Sequence, residues 1–169
     1  MGKIIGIGGV SRAGKTSLAQ RISEWFLDDN VKIIHQDDYI VSNVNMPLVK
    51  GQFDWEHPSS LDFEAFRREI MREQKKYDYI IAEGLMVFKE PIVYNLFDKK
   101  IFIEISKQTF LNRKTLDGRW ENEPAWYIEH IWDNHFIHGK VPDEMKDVLC
   151  ISGENQFIAG IVKNYLLNK

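Results

Sequence analysis

A glycine-rich segment near the start of the chain has the residue types and spacing of a phosphate-binding loop. Residues 9–16 read G-V-S-R-A-G-K-T and match G-x-x-x-x-G-K-[ST] at every position. Glycine lets the main chain wrap tightly, so that several backbone N–H groups point at one anion. An apolar run precedes the segment and an amphipathic helical pattern follows it, so a helix N-terminus faces the same anion. The sequence therefore predicts a nucleoside triphosphate site formed by Gly9, Val10, Ser11, Arg12, Ala13, Gly14, Lys15, Thr16 and Ser17.

Two carboxylates and a hydroxyl are candidate ligands for the magnesium ion that accompanies such a nucleotide. The Thr16 hydroxyl can ligate Mg²⁺, and Lys15 can reach the terminal phosphates as a catalytic cation. Glu83 ends the apolar run 79–82, where a buried carboxylate is costly without a partner, which favours a role at the metal. Asp37 directly follows the second predicted strand, where it can accept the proton of an attacking hydroxyl or hold Mg²⁺. The alternative for Asp37 is ordinary turn chemistry, since Asp is common where strands end.

A cluster of basic residues later in the chain is a candidate lid. Arg113, Lys114 and Arg119 lie in or beside the charged stretch 115–123, between two predicted helices. Mobile cations there can close over a triphosphate and neutralise charge in the transition state. The alternative for each of them is a solvated helix end.

The order of predicted elements is typical of an α/β protein. Short apolar runs predict strands over Ile4–Ile7, Val31–His35, Tyr77–Ala82, Lys100–Ile105 and Val148–Ile151. Helical patterns alternate with them, over Lys15–Leu27, around Phe63–Ile70, Gln108–Lys114 and Pro124–His138, and around Ile158–Tyr165. Strands alternating with helices favour a mainly parallel sheet covered on both faces, a three-layer fold. We expect one domain over 1–169, with a small lid at about 113–123 and an unstructured acceptor-binding loop at about 38–60.

Composition excludes several classes of protein. The 169 residues carry 22 Lys and Arg against 25 Asp and Glu, a net charge of −3, which disfavours a dedicated nucleic-acid binder. The one cysteine, Cys150, excludes a disulfide framework, and we expect it to be a small buried residue of the last strand. No apolar run approaches the ~20 residues of a membrane span, and Ile4–Val10 is too short for a signal-peptide core. We therefore expect a cytoplasmic protein with no membrane or nucleic-acid partner; a homo-oligomer is compatible with this composition.

With these residues in view, the chain resembles the uridine kinase and nicotinamide riboside kinase family of P-loop enzymes over roughly residues 4–139. The glycine-rich segment resembles the opening of that family. Gln36-Asp37-Asp38-Tyr39 is similar to its Q-D-[DS]-[FY] segment, and residues 80–84, I-I-A-E-G, to its I-x-E-G strand end. Trp55-Glu56-His57-Pro58 is similar to its D-H-P stretch, with Glu in place of Asp. Arg113-Lys114 is similar to the Arg pair that begins its lid, with one conservative change.

The resemblance implies an ATP- and Mg²⁺-dependent kinase that phosphorylates the ribose 5′-hydroxyl of a nucleoside. It implies that Asp37 is the catalytic base and that Arg113 acts on the phosphates. It places the acceptor among Asp37, Asp38, Tyr39, Trp55, Glu56, Lys114 and Trp120, with Glu56 on the ribose hydroxyls. In nicotinamide riboside kinases two aromatic residues sandwich the pyridinium ring, and Trp55 and Trp120 fall where those would be. A tryptophan face suits a flat cationic ring, whereas uridine needs hydrogen-bonding side chains for its carbonyls; both tryptophans can equally be packing residues.

Three other functions remain open at the level of sequence. One is a kinase of a non-nucleoside alcohol, and another is a nucleotide switch protein that hydrolyses ATP or GTP without an acceptor. The third is a nucleotide-binding module without turnover. The long aromatic-bearing stretch 38–60 argues against the switch protein, because it is typical of a small-ligand site.

Overall fold

A five-stranded parallel sheet forms the centre of the molecule. The computed structural model describes residues 1–26, 28–118, 123–155 and 159–167. The sheet contains β1 (Lys3–Gly9), β2 (Val31–His35), β5 (Tyr79–Gly84), β6 (Lys99–Glu104) and β7 (Val148–Ser152), in the order β2-β5-β1-β6-β7. Every pairing is parallel, with Ile7 beside both Glu83 and Ile101. The predicted parallel sheet is confirmed, and the carboxyl ends of all five strands meet at one edge.

Helices cover both faces of the sheet, as the alternation of predicted strands and helices along the chain indicates. The helices are α1 (Lys15–Trp25), α2 (Phe63–Glu73), α3 (Pro91–Tyr94), α4 (Lys107–Thr115), α5 (Ala125–Asn134) and α6 (Ala159–Leu167). On one face Ile5 and Ile81 pack in a cluster with residues of α1, α4, α5 and α6. On the other face their sequence neighbours Ile4 and Ile80 pack against α2 and α3. Successive strand residues point to opposite faces, so two apolar layers follow from the same short runs.

The stretch 38–60 contains more structure than the sequence predicts. Three 3₁₀ turns (Gln36–Tyr39, Asn43–Asn45, Pro58–Ser60) flank an antiparallel hairpin of β3 (Leu48–Val49) and β4 (Gln52–Phe53). Lys50 and Gly51 connect these strands, and both have positive φ, 48° and 80°. Two consecutive residues of that kind form the tight turn that matches strand twist, and a glycine at the second position is its sequence signal.

Other differences concern element ends and one edge of the sheet. The predicted strand 77–82 is shifted to Tyr79–Gly84, and a π-helical turn, His135–Gly139, continues α5. Cys150 is exposed, so its predicted burial is wrong. The reason is that β7 pairs only with β6, as the last strand in the sheet order, and its burial is correspondingly incomplete. Leu27 and Ile158, which we placed in predicted helices, lie outside the described residues. None of the helices in the described ranges is long and apolar enough to cross a bilayer.

Candidate active site

A cleft of about 560 Å³ opens at the carboxyl edge of the sheet. Parallel strands deliver their following loops to that edge, which is where open α/β sheets bind ligands. The wall is formed by the glycine-rich segment, the β2 and β5 ends, the 38–60 stretch and α4. Its residues are Ser11, Arg12, Gly14, Lys15, Thr16, Ser17, Asp37, Ile40, Trp55, Glu56, Leu61, Glu83, Leu85, Met86 and Arg113.

The glycine-rich segment has the geometry of an anion cradle. Gly9 has φ 150°, and a Cβ there would lie 2.6 Å from the Ile103 carbonyl oxygen, so only glycine fits. Gly14 precedes α1 at φ 104° and supplies no side-chain cap, whereas α2 and α4 are capped by Asp62 and Ser106. The first N–H groups of α1 therefore have no side-chain acceptor, and the positive end of the helix points toward the cleft. This arrangement fits a nucleotide phosphate.

Hydrogen bonds join the ends of two strands, β2 and β5, to the first turn of α1 beside the cradle. The Thr16 hydroxyl donates to Glu83 Oε1 at 2.8 Å, and His35 Nδ1 lies 2.7 Å from the same oxygen. His35 and Glu83 are direct partners in the β2–β5 register, so strand pairing fixes this contact. Hydroxyl and carboxylate oxygens are the ligands that Mg²⁺ prefers. The donor set of Thr16, Glu83 and the nearby Asp37 therefore fits a magnesium ion held with a nucleotide.

Burial and opposite charges act against each other in this corner of the cleft. Lys15 is buried and its ammonium donates to the Val10 carbonyl at 3.1 Å. Burial lowers the pKa of Lys15, while the charges of Glu83, Asp37 and Glu56 oppose that fall. Desolvation raises the pKa of Asp37, and the Lys15 charge opposes the rise. Asp37 thus lies in the electrostatic reach of Lys15, with its carboxylate facing the cleft.

The second half of the cleft is formed by Trp55 and Glu56. Trp55 is 39% exposed and also lines a neighbouring pocket of about 310 Å³. The partners of Trp55 there are Leu48, Gly51, Gln52, Phe53, Glu123 and Tyr127. Glu56 is buried, and burial raises its pKa to about 7 against the attraction of Lys114. An aromatic side chain and a carboxylate from adjacent positions of the chain therefore both line the cleft.

The predicted lid begins inside a helix. Arg113 and Lys114 both belong to the last turn of α4, which ends at Thr115. Arg113 donates to the carbonyls of Arg12 (3.0 Å) and Gly153 (2.6 Å) and lines the cleft. Lys114 is 1% exposed because it lies one turn from Phe110 on the buried face of α4. The structure thus buries Lys114 near Glu56 instead of leaving it at a mobile surface. Arg119 and Trp120 lie outside the described residues.

Eleven of the predicted site residues line this one cleft, and several do not: Gly9, Val10, Ala13 and Lys114 are buried outside its wall. Asp38 is exposed outside its wall, and Tyr39 packs its ring against Phe66, 5.3 Å between centroids. Sequence reasoning missed His35 and the apolar wall formed by Ile40, Leu61, Leu85 and Met86. For His35 a signal was present, because it immediately precedes the Gln36–Asp37 segment. The four apolar residues have no local signal, since only the folded cleft brings them together.

Comparisons with known proteins identify relatives among small-molecule kinases. No protein-family model matches the chain. The nicotinamide riboside kinase of Schizosaccharomyces pombe is 23% identical over 182 aligned positions, covering 80% of this chain and 78% of the relative. The uridine kinase of Geobacillus sp. is 27% identical, covering 94% and 92%. The uridine kinase of Borrelia garinii subsp. bavariensis is 33% identical over 128 positions; this match covers 62% of the chain, which spans 61% of that relative's length.

Solved structures of similar fold carry kinase names as well. A possible uridine kinase from Bacillus stearothermophilus superposes with a TM-score of 0.58 at 20% identity, covering 88% of this chain and 89% of that one. A gluconokinase from Sinorhizobium meliloti gives 0.58 at 14% identity, covering 98% and 89%. At these identities the likeness shows the fold, a P-loop kinase architecture. Together with the curated relatives, it makes the chain a homologue of uridine kinases and nicotinamide riboside kinases and, like them, a small-molecule kinase.

Proposed function

We propose that the protein transfers the γ-phosphoryl group of ATP to the primary ribose hydroxyl of a nucleoside. The observation that carries this proposal is the single cleft that the phosphate cradle shares with Asp37, Trp55 and Glu56. A switch protein or a binding module needs the cradle alone. An aromatic side chain and the carboxylates of Asp37 and Glu56 in the same cleft as the cradle support a second small substrate.

The chain's own residues divide into a nucleotide side and an acceptor side. The segment Gly9–Ser17 holds the ATP phosphates, with Lys15 on the terminal ones, and Thr16, Glu83 and Asp37 hold Mg²⁺. The metal neutralises phosphate charge and orients the nucleotide. Asp37 accepts the proton of the acceptor hydroxyl while the oxygen of that hydroxyl bonds to the γ-phosphorus and ADP leaves. Arg113 neutralises the charge that develops on the transferred group, with Arg119 as its proposed partner from the lid.

We assign the acceptor by the chemistry of the Trp55 wall. Glu56 accepts hydrogen bonds from the ribose hydroxyls, with Lys114 behind it, and Trp55 presents its face to the base. The adjoining pocket adds Phe53 and the carboxylate of Glu123, which favour a flat cationic base over a neutral one. Nicotinamide riboside is therefore the first candidate, with Trp120 proposed as the second aromatic face, and uridine or cytidine is the alternative. Relatives carry both names.

An ADP-release screen with Mg·ATP tests the proposal. The panel contains nicotinamide riboside, uridine, cytidine, gluconate and a no-acceptor control. We expect nucleoside-dependent ADP formation, fastest with nicotinamide riboside. Turnover with gluconate alone would reassign the protein to sugar-acid kinases. Hydrolysis that no acceptor accelerates would support a switch protein, and tight ATP binding without any ADP would support a binding module.

Two single substitutions test the residues that carry the chemistry. We expect Lys15→Ala and Asp37→Asn each to lower kcat by roughly 10²–10⁴-fold while the circular dichroism spectrum is retained. The matched control is Asp29→Asn, an exposed aspartate in the turn before β2, at the opposite edge of the sheet. Turnover of Asp37→Asn at the rate of Asp29→Asn would remove Asp37 from the catalytic role.

A further inference from the structure

The residues that face the acceptor stand on a segment with little regular pairing of its own. We call Phe53–Glu56 the acceptor segment, because it carries Trp55 and Glu56. The β3–β4 ladder pairs two residues on each side and ends at Phe53. The next backbone bond, from Asp54 N to the Pro47 carbonyl at 2.8 Å, closes the base of the hairpin. A rigid position for Trp55 and Glu56 therefore needs support from another element.

One tyrosine of α5 holds two peptide groups of the acceptor segment. The hydroxyl of Tyr127 accepts a hydrogen bond from Trp55 N at 3.1 Å and donates one to the Phe53 carbonyl at 3.3 Å. Tyr127 is 1% exposed and belongs to the apolar cluster under α5. Desolvation raises the pKa of its hydroxyl, which keeps it a neutral donor. Because the ring of Tyr127 is packed in the core, its hydroxyl holds the segment in a fixed position relative to the core.

A histidine one turn further along α5 reaches the same segment through Asp54. Asn134 Nδ2 donates to the His130 carbonyl at 3.0 Å and lies 2.9 Å from Nδ1 and 3.1 Å from Nε2 of the His130 ring, so it contacts the ring from the same helix. His130 Nε2 lies 2.9 Å from Asp54 Oδ1, and that oxygen also accepts from Glu56 N at 3.1 Å. Asp54 is buried, so these bonds are little weakened by solvent. Tyr127 and His130 are spaced i, i+3, so they share one face of α5.

We propose that Tyr127 and His130 are positioning residues that fix Trp55 and Glu56 for the acceptor, His130 acting through Asp54. This inference rests on the proposed acceptor role of Trp55 and Glu56. Neither positioning residue touches the reacting atoms. Their contribution is to reduce the motion of two acceptor contacts before the acceptor arrives, which lowers the entropy lost on binding. Acceptor binding therefore depends on α5, a helix that directly follows the predicted lid.

Removal of one oxygen atom tests the tyrosine. We expect Tyr127→Phe to raise the KM for the acceptor by about 5–20-fold and to leave the KM for ATP within about twofold. The matched control is Tyr165→Phe. The Tyr165 hydroxyl also accepts from a backbone N–H, that of Lys100 at 3.1 Å, and donates to a carbonyl, that of Asp147 at 2.7 Å. Its loss should leave both KM values unchanged. Equal changes in the two KM values, or none, would overturn the proposal.

Hydrogen exchange of the free protein separates this inference from the proposed function. We expect the amides of Trp55 and Glu56 to exchange at least about tenfold faster in Tyr127→Phe than in wild type or Tyr165→Phe. Unchanged exchange would mean that the hydroxyl does not hold the segment, whatever the acceptor. If exchange is faster in Tyr127→Phe but the protein phosphorylates no nucleoside, the Tyr127 hydroxyl does hold the acceptor segment, and only the proposed substrate is refuted.

The contribution of Asp54 is tested by comparing a substitution that keeps its hydrogen-bond acceptor with one that removes it. Asp54→Asn keeps an Oδ1 that can accept from His130 and from Glu56 N, whereas Asp54→Leu removes the acceptor at similar volume. We expect Asp54→Leu to raise the acceptor KM by about 5–20-fold and Asp54→Asn by less than about threefold. Equal effects of the two substitutions would show that the hydrogen bonds of Asp54 do not position Glu56.

Discussion

Burial shifts the pKa values of Lys15 and Glu56 in the cleft toward their neutral forms, and opposite charges oppose both shifts. Lys15 is the cation among Asp37, Glu56 and Glu83, and its own burial favours the neutral amine. For Glu56 the opposing charge is mainly Lys114. A bound nucleotide would add negative charge next to Lys15, which favours the ammonium. A ligand can therefore move this balance between burial and opposite charge, which is typical of functional sites.

Glu56 makes that balance measurable as a dependence of stability on pH. Its pKa is about 7 in the folded protein and 4.5 in a solvated carboxyl, so folding favours the protonated form. As pH rises, Glu56 loses its proton in the unfolded chain before it does so in the folded protein. The free energy of unfolding of wild type therefore falls between about pH 4.5 and 7, and the contribution of Glu56 is constant above that range. Relative to Glu56→Gln, we expect a loss of about 3 kcal/mol across this window. Urea unfolding at several pH values measures it.

The same comparison of Glu56→Gln with wild type can also contradict this prediction. A stability difference between the two proteins that stays constant from pH 4.5 to 8 would show that Glu56 titrates normally in the fold. Glu64→Gln is the matched control, because Glu64 lies on the outer face of α2 in solvent. Its stability difference from wild type should not change across the same window.

At the scale of elements, α4 connects the phosphate cradle with the turn after β7. Arg113 of α4 donates to the carbonyl of Arg12 in the cradle and to that of Gly153 in the turn. Arg12 has φ 65°, an unfavourable conformation for a residue with a side chain, and its guanidinium pairs with Asp117 at 3.3 Å. Glu154 in the turn accepts hydrogen bonds from Ser106 N and the Thr109 hydroxyl at the start of α4. The cradle is thus held from the side by a helix.

Arg113→Lys separates geometry from charge at this junction. Lysine keeps the positive charge, but it cannot donate to two carbonyls through a planar fork. We expect kcat to fall by about 10–100-fold, with an increase in the KM for ATP, because the cradle loses its lateral support. Arg67→Lys on the surface of α2, where Arg67 pairs with Glu64 at 3.8 Å, is the control and should leave both values unchanged. Full activity of Arg113→Lys would show that charge alone matters.

At the scale of the whole molecule, one sheet edge brings together residues from distant parts of the chain. The strand order β2-β5-β1-β6-β7 places the end of β1 at the centre, with the ends of β2 and β5 on one side and α4 on the other. The acceptor segment, which contacts Tyr127 and His130 of α5, adds Trp55 and Glu56 to the cleft wall. A nucleotide in this cleft contacts several elements at once. Because it binds only the folded protein, its binding increases the free energy of unfolding of the whole domain.

That coupling predicts a thermal shift. At a Mg·ATP concentration of 100 times Kd, linkage adds about 2.7 kcal/mol to the free energy of unfolding. For a domain of this size we expect the Tm to rise by roughly 5–10 °C in differential scanning fluorimetry. In Lys15→Ala the shift at the same ATP concentration should nearly vanish, whatever the Tm of the free variant. An equal shift in both proteins would place ATP away from the cradle.

Local sequence patterns determined the cradle and the layered sheet. The spacing of Gly9, Gly14, Lys15 and Thr16 encodes a loop whose chemistry depends only on neighbouring residues and on a strand and a helix beside it. The consecutive apolar residues Ile4-Ile5 and Ile80-Ile81 likewise encode two apolar faces, because successive strand residues point to opposite sides of the sheet. The hairpin at Lys50-Gly51 was also readable from its turn, and the prediction of an unstructured loop overlooked it.

Only the tertiary structure decided which distant residues meet. Glu83 contacts His35 because β2 pairs with β5, and Trp55 is held by Tyr127, 72 positions away. Lys114 is buried because of the face that α4 turns to the core, and Cys150 is exposed because β7 lies at an edge. Strand order and helix facing depend on the packing of the whole chain, so no short stretch of sequence contains them.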